Sequence, residues 1–420
     1  MNNFGLIITI ALRHLVSKKR QTLVAILGVA FGIAMFLFQG GLMSGFQQVF
    51  IEQTINTSAN IRIYHEPSTT RSSILSQTEA YQNHWTVIQN PKPKDEIIKI
   101  RAASEITRLL EKDERIEGVS PSLSAQAIFK SGTAQVSGRV VGVYIEKENQ
   151  LFNVEKNNIE GSIKRLQTVP NSIIIGSGLA QLLGARLNDN LIVIAPSGVG
   201  LEMKIVGINQ TGITELDKSR AYVNIRNAQI LLGVDHSFIT DVNLKLKNIE
   251  ESSEIAAELQ KKWGYKALDW KEANANIFGI FRIQNLVTYL VIITILIVSG
   301  FGIFNILMMI IYEKFPDIAI LQALGFTSKE IIKIFLTESL IIGVIGGICG
   351  LGLGFLLQKI VGSIRMNTQG FISIEYLKFN SSPEFFVFAF VFALLVTAVA
   401  GYLPARKAAK IDPIEILRSK

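Results

Sequence analysis

A membrane α-helical protein with four transmembrane helices and one large extracytoplasmic mixed α/β domain is the fold class the sequence predicts, on three observations. The chain of 420 residues is 49% hydrophobic and only 18% charged, too apolar for an ordinary soluble enzyme. That apolarity is concentrated: charged side chains vanish from four long runs, 21–51, 285–312, 339–358 and 385–405, and are ordinary elsewhere. The basic residues behind the formal net charge of +8 gather at the edges of those runs, as membrane-flanking anchors do, so no nucleic acid is expected as a partner.

The first run, 21–51, would overshoot the roughly 30 Å hydrocarbon core if helical throughout, and so spans the bilayer and continues as a stalk. Segment 1–20 before it carries Arg13, Lys18, Lys19 and Arg20, which would also suit a signal peptide. The run is about twice a normal h-region and lacks a small-x-small cleavage site, so a retained span is expected. Four spans put both termini on one side, and these bases together with Arg406, Lys407, Lys410, Arg418 and Lys420 assign that side to the cytoplasm of an inner-membrane protein. Residues 52–284 then lie outside, 313–338 form a cytoplasmic connection with the start of the third helix, 359–384 a short external loop, and 406–420 a cytoplasmic tail. In the third span Gly346, Gly350 and Gly354 recur every fourth position, a ridge that lets a neighbouring backbone come close. Gly28 and Gly32 repeat the device in the first span. Asn305 reads as an interhelical hydrogen-bonding group, and the single cysteine, Cys349, as a packed membrane side chain.

Outside the membrane the pattern turns mixed. Strands are expected at 61–64, 126–130, 136–144, 172–175, 191–195, 203–208, 221–225 and 242–246, and helices at 96–112, 177–183 and 252–263, with a polar excursion at about 68–94. Gly118 and Pro121 read as punctuation after the first of these helices. His65, His84 and His236 are too scattered for a metal site, and no nucleophile, zinc or phosphate-loop motif occurs. The chain is therefore expected to be non-catalytic and to bind no cofactor itself, leaving any ATP hydrolysis to another polypeptide.

The richest stretch is 312–331, which reads YEKFPDIAILQALGFTSKEI. Pro316 suits a helix start, Asp317 favours the positive helix end and Gly325 stops it. Thr327 with Glu330 forms a capping box for the next helix. Ile318, Leu321 and Leu324 recur at helical spacing, so an apolar face is expected that something must cover. On spacing alone, the membrane surface and a groove on an ATPase fit equally well.

This stretch, with NILMM at 305–309 and FLTESL at 335–340 around it and LPARKAAKIDPIEIL at 403–417, resembles the FtsX-like and MacB-like permease family of ABC transporters. Within it, MSGFQ at 43–47, VGVY at 141–144, IGSGLAQLLG at 175–184 and WKEAN at 270–274 are similar to the lipoprotein-releasing LolC and LolE branch. The likeness departs at Pro316, where a basic residue is usual, and in the excursion at 68–94. The resemblance implies a cytoplasmic ABC ATPase dimer carrying ATP and Mg, docked on a coupling helix formed by Asp317, Ile318, Ala319, Leu321, Leu324 and Gly325. It also implies a second permease, identical or a LolC/LolE-like paralogue, and a periplasmic lipoprotein carrier. ATP-driven motion would reach the periplasmic domain through the long first and second helices and extract lipoproteins from the membrane lipids. The candidate acyl-chain cleft is Phe36, Phe38, Met43, Phe46 and Phe50 of the first helix, with Leu290 and Ile293 facing them; ordinary packing or lipid contact is the alternative. The competing functions are a MacB-type tripartite efflux permease and an FtsX-type signalling permease controlling a cell-wall hydrolase. FtsX-type external domains are usually smaller, and a membrane enzyme lacks its catalytic groups here.

Overall fold

The computed structural model describes residues 3–67, 98–365 and 376–409. It divides into two compact units, an α/β unit built from Phe50–Phe278 and a helical unit built from the segments on either side. The polar excursion expected at 68–94 lies outside the described residues, as does the end of the 403–417 motif.

In the helical unit, four helices are long and apolar enough to cross a membrane. They are the first (Lys19–Thr57), second (Ala275–Glu313), third (Ser328–Gly362) and fourth (Pro383–Ala408) spanning helices. Two shorter helices accompany them: an N-terminal helix, Asn3–Ser17, and an elbow helix, Phe315–Ala323. The N-terminal helix was not expected, although Ile7, Ala11 and Leu15, which it buries, stand at four-residue spacing. Leu37, Ile303, Leu307, Ile342 and Ala393 form the shared core of the unit.

The α/β unit is a ten-stranded mixed sheet among the described residues. Its strands are β1 (Ile61–Tyr64), β2 (Ile116–Ser131), β3 (Ala134–Val143), β4 (Asn158–Gly161), β5 (Ser172–Gly176), β6 (Asn190–Ile194), β7 (Gly200–Asn209), β8 (Arg220–Asn224), β9 (Asp241–Leu246) and β10 (Lys266–Asp269). Their spatial order is β10-β1-β9-β2-β3-β8-β5-β7-β4, with β6 bridging β2 and β7. The strand expected at 126–130 is only the far half of β2, which starts at Ile116 and runs through Gly118 and Pro121 with an irregularity near its start. The helix expected at 96–112 is Ala103–Leu110, its first two positions lying outside the described residues.

Strand side chains alternate between faces. One face of this sheet is the main core, where Ile61, Ile63, Val242, Leu244, Leu123, Val140, Ala221 and Val223 are buried together. The other face is divided. Beneath β3, β5, β7 and β8, Val141, Ile174, Val206 and Tyr222 pack with Ile145, Leu151 and Phe152 of the helix Ile145–Phe152. Toward β1, β9 and β2 the same face turns polar, with Arg62, Asp241, Asn243, Ser122 and Ser124. There Ser120 Oγ donates to the buried Glu148 carboxylate at 2.5 Å, and burial pushes the Glu148 pKa up, opposed by the Ser120 bond and by Arg220.

The last turns of the first helix are tied into this unit. Gln53 Nε2 donates to the Thr211 carbonyl, and Lys245 Nζ of β9 donates to the Ile55 carbonyl, a cation at a helix C-terminus. Asn60 then pairs through its amide with the Leu244 carbonyl and through its side chain with the Leu246 amide.

Leu123→Ala should cost about 2–5 kcal/mol because this fully buried side chain leaves a cavity in the central strand, whereas Ile159→Ala, at an exposed site, should stay within about 0.5 kcal/mol; thermal unfolding of the two variants checks the contrast. A carboxyl with a raised folded pKa favours the native state below its ordinary value of 4.5 and loses that contribution as pH rises through the raised value. Glu148→Gln should therefore flatten the decline of stability above pH 4.5, read as Tm against pH.

Candidate functional site

The elbow helix is framed as its caps require. Pro316 lies in its first turn with Asp317, which accepts from Lys314 Nζ at 2.7 Å. Gly325 follows its end at φ +97°, a left-handed conformation that a side chain would strain. The third spanning helix then opens on a complete capping box between Thr327 and Glu330.

The single apolar face expected from Ile318, Leu321 and Leu324 is split in two. Ile318 and Ala319 are buried at 1% and 0% exposure, Ile318 in a cluster with Ile311, Ile331, Phe335 and Ala405. These side chains seat the elbow on the chain's own helices. Ile320 and Leu324 are exposed at 52% and 74%, with Asp317 and Gly325 also exposed and Leu321 half-buried. Together they make the outward surface. Nine residues with apolar side chains almost all round leave the orientation to tertiary contacts, and spacing alone had no means to choose it.

Beside the elbow runs the N-terminal helix, and between them lies a groove of about 430 Å³ lined by Ile10, Arg13, Ser17, Asp317, Ile320 and Leu321. The N-terminal helix packs on the third spanning helix, where His14 Nδ1 stands 3.8 Å from the fully buried Glu338 carboxylate. Lys18 pairs with Glu313, to which Gln21 also donates. Lys18 and Gln21 thus tie the start of the first spanning helix to Glu313 at the end of the second.

Gly346, Gly350 and Gly354 lie against the first spanning helix. A Cβ on each would come within 2.7 Å of Val29 Cβ, 2.7 Å of the Ala30 carbonyl and 2.9 Å of Leu37 Cδ1, respectively. One turn further, Gln358 Nε2 donates to the Leu37 carbonyl at 2.7 Å. A second small face, Gly343 and Gly347, meets Thr397 and Phe390 of the fourth helix. Gly32 of the first helix faces Ser299 of the second, whose hydroxyl donates to the Gly28 carbonyl at 3.0 Å.

The candidate acyl-cleft residues have different neighbours. Phe36 is buried against Phe385, Phe388 and Phe392 of the fourth helix, and Phe38 meets Phe379. Phe46 meets Phe281 edge-on, and Met43 Sδ accepts from Gln284. Phe50 is buried within the α/β unit. Leu290 and Ile293 are exposed on the second helix. Two apolar grooves do open on the bundle. One of about 350 Å³ lies between the first and second helices, lined by Val24, Gly28, Phe31, Thr294, Val298 and Gly302. The other, of about 560 Å³, lies between the second and fourth and includes Ile293, Phe301, Phe392 and Val399. Among the described residues no group of three or more His, Cys, Asp or Glu could hold a metal ion.

Gly350→Leu should force the first and third helices apart at a cost of about 1–3 kcal/mol or more. Gly352→Leu should be tolerated, since a Cβ there meets nothing within 4 Å. Melting temperatures of the two variants in detergent decide the matter.

Comparison with known proteins adds the family. Residues 22–262 match the MacB-like periplasmic core domain, and residues 289–413 match the FtsX-like permease C-terminal family. The lipoprotein-releasing system transmembrane protein LolC of Xylella fastidiosa is 24% identical, the alignment covering 98% of each chain. LolC of Neisseria meningitidis serogroup B is 25% identical with 99% of each covered. LolE of Haemophilus influenzae is 23% identical with 98% of each covered. Four membrane-length helices and a domain of the periplasmic core type, matched along nearly the whole chain, place this protein in the MacB-like and FtsX-like family of ABC transporter permeases, to which it belongs together with LolC and LolE.

Proposed function

We propose that the chain is the permease half of an ATP-driven machine that lifts lipoproteins out of the inner membrane and passes them to a soluble periplasmic carrier. The observation that carries this reading is the elbow helix, fixed from within by Ile318 and Ala319 and presenting Ile320, Leu321 and Leu324 outward beside Asp317. A small apolar knob on a rigid seat suits the groove of a docking subunit. Two copies of a cytoplasmic ATPase would bind there and hold ATP and Mg, and a second permease, identical or a LolC/LolE-like paralogue, completes the assembly. On this reading both termini are cytoplasmic, in keeping with the basic residues that flank the spans.

End-to-end similarity to LolC and LolE supports lipoprotein as the cargo. The groove between the first and second spanning helices is the receiving site for acyl chains. Removing such chains from lipid costs about 0.8 kcal/mol per methylene, so an apolar acceptor and an external energy source are both required. The helices that bracket the α/β unit in the chain are 39 residues each, about 58 Å at 1.5 Å per residue. They exceed the bilayer and serve as levers, so the cargo never needs to cross the membrane.

Leu324→Asp should lower the amount of ATPase copurified from native membranes by at least about tenfold without changing the melting temperature of the permease. The same variant, reconstituted with ATPase in proteoliposomes, should fail to release a triacylated lipoprotein to the carrier. Undiminished copurification would leave the outward face to the lipid headgroups and remove the docking reading. Transport that needs a periplasmic adaptor and ignores lipoprotein would assign the machine to efflux.

A further inference from the structure

The polar part of the second sheet face lines a partly open cavity of about 280 Å³, well beyond the room a single water needs. It lies wholly within the α/β unit, where the last turns of the first spanning helix meet the sheet. Three guanidinium groups line it, Arg62 from β1, Arg139 from β3 and Arg220 from β8. Arg62 is committed to Asp241 at 2.5 Å, and Arg220 donates to the Tyr222 hydroxyl at 3.2 Å. The Arg139 guanidinium, on an exposed residue of the lining, makes no hydrogen bond or salt bridge to a described residue, and Asp241 acts on it through charge alone. Arg139 also stands directly opposite Arg220 in the parallel β3–β8 register, a like-charge pairing that disfavours the sheet unless something offsets it.

Across the cavity stands Thr54 of the first helix. Its side chain is 3% exposed, yet its hydroxyl has no hydrogen-bond partner, an arrangement that costs free energy unless a ligand or water supplies the bond. The carboxylates in the lining are already engaged or open to solvent: Asp241 with Arg62, Glu148 with Ser120, and Glu215 exposed. Burial and the neighbouring Arg62 and Arg220 depress the Arg139 pKa against the pull of Asp241, and burial raises that of Glu148 against the pull of Arg220.

The geometry points to a binding site for a phosphate-type oxyanion, free or carried on a lipid headgroup, held by Arg139, Arg220 and Thr54. The guanidinium fork matches such an anion in shape and charge, and the anion would neutralise the Arg139–Arg220 repulsion while satisfying the Thr54 hydroxyl. Because Thr54 belongs to the helix and Arg139 to the sheet, one bound ion would fasten the two. This inference is independent of the lipoprotein reading and needs no ATPase or cargo.

The test uses the full chain, stripped of lipid in detergent and titrated with inorganic phosphate against chloride at equal ionic strength. Phosphate should raise the melting temperature saturably. Arg139→Ala and Thr54→Val, both at positions without a partner to lose, should fold normally and weaken phosphate binding, Arg139→Ala by about tenfold or more. Phosphatidylglycerol nanodiscs that abolish the phosphate response, where phosphatidylcholine nanodiscs do not, identify a lipid headgroup; a response unchanged in both identifies a free anion. No saturable response, or one retained in full by Arg139→Ala, overturns the assignment and leaves the cavity to water.

Discussion

Backbone contact between the first and third spanning helices is the constraint around which the helical unit is arranged. Gly346, Gly350 and Gly354 let the two helices approach until Val29, Ala30 and Leu37 fill the space that side chains would otherwise take. In lipid the hydrophobic effect does not drive helices together, so packing of this closeness and polar ties such as Gln358 to the Leu37 carbonyl have to do so. With the first helix held there, Phe36 is directed onto the phenylalanines of the fourth helix. The third helix is held in turn, and its capping box at Thr327 and Glu330 gives the elbow a fixed point of departure.

Features encoded locally were legible from the residues. Charge depletion marked all four long helices, and Pro316, Gly325 and the Thr327–Glu330 pair framed the elbow because caps depend on neighbours in the chain. The glycine ridge was equally plain, as every fourth position suffices to describe it. What could not be read was direction. Ile318, Ala319, Ile320 and Leu321 are consecutive and apolar, and only contacts across helices, with Ile311, Phe335 and Ala405 of the second, third and fourth, decide that Ile318 turns inward. The neighbours of the candidate acyl-cleft residues were hidden for the same reason. Their aromatic partners, Phe379 and Phe385 among them, come from the fourth helix and the segment just before it, and no periodicity in the first helix announces them.

In the α/β unit the misreadings have a different cause. Gly118 and Pro121 are ordinary turn signals, yet both lie in β2, where pairing with β9 on one side and β3 on the other outweighs local preference. The helix Ile145–Phe152 was overlooked because its sequence is mostly polar and its burial depends on a sheet face formed by residues far away. The three arginines of the polar face are likewise spread over β1, β3 and β8. Register, not sequence proximity, makes them neighbours.

The latch between Lys245 and the Ile55 carbonyl gives the α/β unit a mechanical property. A helix ending in a loop can spin about its axis with little effect on the chain beyond it, but this terminal turn is gripped by β9, which pairs with β1 on one side and β2 on the other. Torque applied to those last residues is therefore passed to the middle of the sheet through a direct bond as well as along the connecting chain.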